Sequence, residues 1–146
     1  MEGALSAEAT MKIVEEHWDS WFVKSLSDFI RVPNLSQMHD SEYLKNGLVE
    51  KAIQIVDDSQ KILGLEGMQR HVIQPEGKPP LVVYVIEGEG KNIMFYGHLD
   101  KQPHLTGWDE GLGHIDPVIK NGNLYGRGGA DDGYASFAAF MAVKVC

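Results

Sequence analysis

The chain has 146 residues, 43% hydrophobic and 23% charged, with a formal net charge of −8, which suits one globular domain with a core of its own. The acidic balance and the lack of a basic patch argue against a nucleic-acid binder, and no apolar run reaches the roughly 20 residues that span a bilayer. The single cysteine, Cys146, excludes an internal disulfide, and the start "MEGALSAEAT" lacks the basic flank and apolar run of a signal peptide. The expectation is a cytoplasmic protein with no nucleic-acid and no membrane partner.

From Ala7 to Val32, apolar residues recur at helical spacing (Met11, Val14, Trp18, Trp21, Phe22, Phe29, Ile30) until Pro33 stops the pattern. Ser41 to Leu63 repeats the signal through Leu44, Leu48, Ala52, Ile55, Val56 and Leu63, and Gly64 follows as a C-terminal cap. Both stripes read as packing faces. "GMQRHVIQ" and "PLVVYVIEG" read as strands joined by the turn "PEGKPP", and "NIMFYG" as a short third strand covered on both faces. "PVIKNGNLYGRG" reads as a hairpin about Asn121-Gly122. The closing "YASFAAFMAVKVC" reads as a buried helix that reaches Cys146 without a stop signal, so the expectation is that the protein continues beyond it. Helices on either side of an apolar sheet imply an α/β fold, with helices packed on a mostly parallel sheet.

The chemistry gathers in two stretches. In "MFYGHLDKQP", His98 and Asp100 follow the apolar run Ile93–Tyr96. Alternation along a strand would put both on one side, beyond the strand's carboxyl end, where α/β sheets collect ligands. A carboxylate on one imidazole nitrogen leaves the other free as a metal ligand, although a hydrogen-bonded histidine at a strand end reads equally well. In "LYGRGGADDGY", four glycines and the pair Asp131-Asp132 precede an apolar helix. A phosphate cradle is disfavoured, since two carboxylates would repel the anion and the P-loop lysine is missing. A helix cap by either aspartate is a second reading. A cation site shared by His98, Asp100 and Asp131 suits the pattern best.

Taken in order, "YGHLDKQP", Gly107-Trp108 and "NGNLYGRGGADDG" resemble the co-catalytic zinc peptidases of the carnosinase and cytosolic non-specific dipeptidase type. That family also includes aminoacylase, acetylornithine deacetylase and succinyl-diaminopimelate desuccinylase. The resemblance spans nearly the whole chain. It implies that residues 1–146 form the N-terminal portion of a catalytic metallopeptidase domain, with the lid or dimerisation domain absent. It implies His98 as a ligand of one metal ion, Asp100 as the catalytic-site carboxylate that clamps its imidazole, and Asp131 as the carboxylate bridging two ions through a cis peptide to Asp132. The implied cofactor is zinc, two ions per complete site, with manganese or cobalt as substitutes. The substrate would be a dipeptide or N-acyl amino acid, hydrolysed by metal-activated water. The glutamate base, its neighbouring ligand and the remaining ligands would follow Cys146, so the missing C-terminal part is an expected partner. Arg127 and Trp108 are expected to support the site rather than touch substrate. His104 and His114 are expected in loops, and they, His17, His39 and His71 are disfavoured as replacement ligands. The sequence departs from the family at Gly133-Tyr134, where a lysine often stands, and at Lys101, where an aliphatic residue is common. The alternative is a truncated, non-catalytic relative acting as a binding or interaction module.

Overall fold

A computed structural model describes residues 5–146. The first apolar stripe folds as one helical rod: α1 (Ala7–His17), a π-helical stretch (Trp18–Val23) and α2 (Lys24–Ile30). Ser6 starts it, its hydroxyl accepting the Ala9 N–H, and the rod stops short of Pro33, as the sequence predicts. The second stripe is shorter than expected. Helix α3 spans Leu48–Leu63, not the whole of 41–63. The Asp40 carboxylate takes the Glu42 N–H and the Asn46 amide, and Asn46 in turn accepts the Leu48 N–H. Such local side-chain bonds compete with a helix, and they hold residues 40–46 in turns. Gly64 caps α3 in the left-handed region, as expected.

β1 (Gln69–Ile73) and β2 (Leu81–Val85) pair antiparallel, with His71 opposite Val83. β3 (Val118–Lys120) and β4 (Asn123–Tyr125) form the predicted hairpin, and Asn121 and Gly122 both adopt positive φ (54° and 77°), as a tight two-residue turn requires. The chain closes with α4 (Tyr134–Lys144).

The structure is mixed helix and strand, but the mostly parallel sheet is not there. Among the described residues the sheets are two antiparallel pairs, and the one parallel contact is an isolated bridge between Leu35 and Lys101. The reason lies in the connections. β3 and β4 are joined by a two-residue turn and β1 and β2 by residues 74–80, and both connections are too short for the crossover that parallel neighbours need. The expected strand Ile93–Tyr96 is also corrected: it is irregular and unpaired, and Ile93 and Met94 are 81% and 89% exposed. Its apolar pattern is that of a strand, yet no described segment lies alongside to take its backbone hydrogen bonds.

The core forms between the helices. Trp21, Phe22, Leu26, Phe29 and Ile30 of the rod meet Ala52, Val56 and Leu63 of α3 and Phe137, Phe140 and Met141 of α4. Trp21 donates its indole N–H to the Ser59 carbonyl at 2.8 Å, fixing the rod on α3. The α3 carboxylate of Asp57 accepts from Arg70 at 2.7 Å and from the Tyr84 hydroxyl, tying the β1–β2 pair to the same helix. The α4 N-terminus lies against the segment that carries His98: a Cβ placed on Gly97 would stand 3.2 Å from Ala135 Cβ.

Candidate metal centre

His98, Asp100 and Asp131 come together although the strand expected to present them does not form. Backbone bonds outside any sheet hold the first two in place. Lys101 N–H donates to the Asn34 carbonyl, Ser36 N–H donates to the Lys101 carbonyl, and the Asn34 amide donates to the Leu99 carbonyl, at 3.1, 3.0 and 2.8 Å. Asn34 is 2% exposed, so this clasp is sheltered from water. Asp131 arrives from the glycine-rich stretch. There a wide turn, Gly129–Gly133, departs from helical geometry at Asp131 (φ −126°, ψ 92°) and closes with Gly133 N–H donating to the Gly128 carbonyl at 2.8 Å. The peptide between Asp131 and Asp132 is cis.

The imidazole of His98 is held from both ends. Its Nδ1 stands 3.0 Å from the Asp100 carbonyl oxygen and 3.2 Å from the Asp100 carboxylate. Its Nε2 stands 3.1 Å from Asp131 Oδ1. Asp132, offered by the sequence only as a helix cap or as the partner in the cis bond, makes no cap bond to α4 and instead accepts the His98 backbone N–H at 3.3 Å, linking the aspartate pair to the histidine segment. A charged residue aimed at a neighbouring backbone leaves no periodic trace, and only the adjacency of the two aspartates hinted at it.

Both ring nitrogens therefore face oxygen acceptors. A neutral imidazole carries one N–H and can satisfy only one of them. Nδ1–H directed at Asp100 leaves the Nε2 lone pair pointing at a carboxylate, an arrangement that needs a shared cation between them. A proton on Nε2 meets that need, and so does a metal ion. Burial pulls the His98 pKa down, but the Asp100 carbonyl bond and the charges and bonds of Asp100 and Asp131 outweigh it, and the net shift is upward. The spacing also suits an ion. With bonds of about 2.0–2.2 Å, the N···O edge of a tetrahedral zinc is about 3.4 Å, so the pair would open by only tenths of an ångström to admit one. The fit is to part of a centre: three protein ligands are usual for a catalytic zinc, and among the described residues no group of three His, Cys, Asp or Glu side chains is placed to hold an ion.

None of the remaining histidines bonds to this centre. His17 Nδ1 lies 2.9 Å from the Ile13 carbonyl, and His39 and His71 are exposed, in a turn and in β1 respectively. His104 and His114 lie against each other, ring centres 4.0 Å apart and planes tilted by 30°, and line a small hollow with Lys101 and Arg127. Burial lowers the His104 pKa, assisted by the charges of His114, Arg127 and Lys101. Arg127 bonds to this loop through its backbone, donating to the His114 carbonyl at 2.8 Å, and Trp108 donates to the His104 carbonyl at 3.1 Å.

Comparison with curated proteins gives partial matches. The chain is 35% identical to a succinyl-diaminopimelate desuccinylase of Wolinella succinogenes over 83 residues, 53% of this chain and 21% of that protein. It is 36% identical to the desuccinylase of a Sulfurovum species over 83 residues, 56% of this chain and 22% of that protein. An uncharacterized metallohydrolase of Methanocaldococcus jannaschii is 26% identical over 146 residues, 92% of this chain and 33% of the relative. No family model matches. The chain spans about a fifth to a third of the length of these relatives. The matches support a broad resemblance to metal-dependent hydrolases and do not reach the carnosinase-type branch. No helix among the described residues is long and apolar enough to cross a membrane.

Proposed function

We propose that this chain carries part of the metal centre of a hydrolase that cleaves the amide bond of an N-acyl amino acid or a dipeptide. The observation that carries the reading is the opposition of His98 Nε2 and Asp131 Oδ1 at 3.1 Å, with Asp100 on Nδ1. His98 and Asp131 would hold the ion, zinc by preference, with manganese or cobalt able to stand in. When bound, such an ion polarises the substrate carbonyl and lowers the pKa of its water.

The protein's own side chains prepare for that task. Asp100 fixes the tautomer and plane of His98, turning Nε2 outward as a ligand. Asp132 holds the His98 backbone against the turn that carries Asp131. The similarity to desuccinylases favours an N-acyl amino acid over a dipeptide, while the sequence motifs lean to the dipeptidase branch. The family resemblance implies a general base and further ligands besides His98, Asp100 and Asp131. The second reading, a non-catalytic interaction module, is equally consistent with the lack of a three-ligand group among the described residues.

Two steps test the proposal: sequencing the reading frame past Cys146, then assaying zinc-dependent amine release from N-succinyl amino acids and dipeptides. The expected result is a frame that supplies a Glu-Glu pair and a later histidine. Its full product should turn over substrate, and the 146-residue chain should release nothing above background. Turnover by the 146-residue chain would overturn the partial-site reading. A stop codon after Cys146 without turnover would leave the interaction module.

A further inference from the structure

Lys101 is 2% exposed, an unusual position for an ammonium group, and its partners are carbonyl oxygens rather than a carboxylate. Its Nζ donates to the carbonyls of Phe29, Ile30 and Val32 at 2.7, 3.2 and 2.6 Å, and lies 4.1 Å from the centre of the Phe29 ring. Those carbonyls belong to the end of α2 and the residues just after it, where a helix leaves acceptors without partners. Burial pulls the amino group down to about 7. Three acceptors, one for each ammonium N–H, and an aromatic face oppose that pull.

The same side chain bears on the other half of the metal centre. Gly128, with φ of 82°, has no room for a Cβ, which would lie 2.5 Å from Lys101 Cε, 2.8 Å from Cδ and 2.9 Å from Cγ. The Gly128 carbonyl is the acceptor that closes the turn carrying Asp131. Through its backbone, Lys101 also forms the bridge with Leu35 that anchors the segment just after Asp100. One residue thus contacts the end of α2, the His98–Asp100 segment and the Asp131 turn. An aliphatic side chain of equal length could rest on Gly128, but it would leave the Ile30 and Val32 carbonyls without a donor and the Phe29 carbonyl with the Val32 N–H alone.

We propose that Lys101 is a positioning residue that caps α2, bears on Gly128, and thereby sets the spacing between His98 and Asp131. The consequence for metal affinity rests on the metal-centre reading above. The effect on the His98 ring does not.

Lys101→Met and Lys101→Arg test the proposal. Met keeps the length and removes every donor, whereas Arg keeps the charge in a planar head that cannot serve three converging carbonyls in the same way. Two quantities are measured on protein shown to be folded by circular dichroism: zinc affinity, by competition with a chromophoric chelator, and the ring ¹⁵N resonances of His98 in the metal-free chain at one fixed pH. Lys101→Met is expected to bind zinc about tenfold more weakly or worse and to shift the His98 ring resonances. Lys101→Arg is expected to fall between it and the wild type. A purely structural role would lower the unfolding temperature and leave both quantities unchanged in the folded protein. A folded variant of either kind with wild-type affinity and wild-type resonances overturns the proposal, as does failure of both variants to fold, which would assign Lys101 to the fold alone. If the wild-type chain binds no zinc, the metal-centre reading fails, and the His98 resonances alone decide the role of Lys101.

Discussion

His98 presents each ring nitrogen to oxygen, and that makes its protonation the most informative single equilibrium in the chain. With Asp100 and Asp131 raising its folded pKa above the ordinary 6.5, the folded metal-free chain holds the His98 proton more tightly than the unfolded chain does. The sign follows from linkage: the stabilisation is complete below the unfolded value and is lost as pH rises through the folded one. The ring is partly exposed, so the effect on stability is small. Metal binding runs the opposite way, because the ion needs Nε2 without its proton. Zinc affinity is expected to fall about tenfold per pH unit once the pH drops below the raised His98 value. A chelator competition series from mildly alkaline to mildly acidic pH measures this slope. A site made of carboxylates alone would hold its affinity until close to their own titration near pH 4, and a flat profile would remove His98 from the site.

At the level of elements, local chemistry was legible and pairing was not. The Asn121-Gly122 turn declares itself, because few dipeptides accept positive φ at both positions. Gly122 has open space where a Cβ would go, so Gly122→Ala meets no clash and tests backbone conformation alone. It is expected to cost about 1 kcal/mol, read as a lowered denaturant midpoint with an unchanged slope. Equal stability would mean that the hairpin does not require this turn. The helical stripes were equally plain, apart from the start of α3, where Asp40 and Asn46 capture the backbone first. Ile93–Tyr96 shows the limit. Its apolar run carries the composition of a strand, but a strand exists only beside a partner, and a partner is a non-local fact that composition does not encode. His98 and Asp100 could be read as neighbours of one another from their spacing. Their meeting with Asp131 was suggested by the chemistry of the two stretches and made specific by the ordered motifs and the resemblance they carry. The clasp through Asn34 and Lys101, which takes the place of the expected strand, left no signal beyond a lysine where an aliphatic residue is common.

For the whole molecule, the helices supply a shared core, and the candidate centre sits where α2, α4 and two loop segments converge. Apolar surface remains uncovered at Ile93, Met94 and Phe95, outside that core. The relatives the chain matches are about two and a half to three times its length, by the shares of each that the matches cover, and on the reading proposed above this chain holds part of a metal centre. The central claim is that it does so through His98 and Asp131. Isothermal titration of the 146-residue chain with zinc, alongside His98→Ala and Asp131→Ala, tests it most directly. The account predicts weak binding of zinc by the wild-type chain, lost or sharply reduced in both variants, each of which keeps its helical circular dichroism. Zinc binding that is equally strong in the wild type and both variants would contradict it.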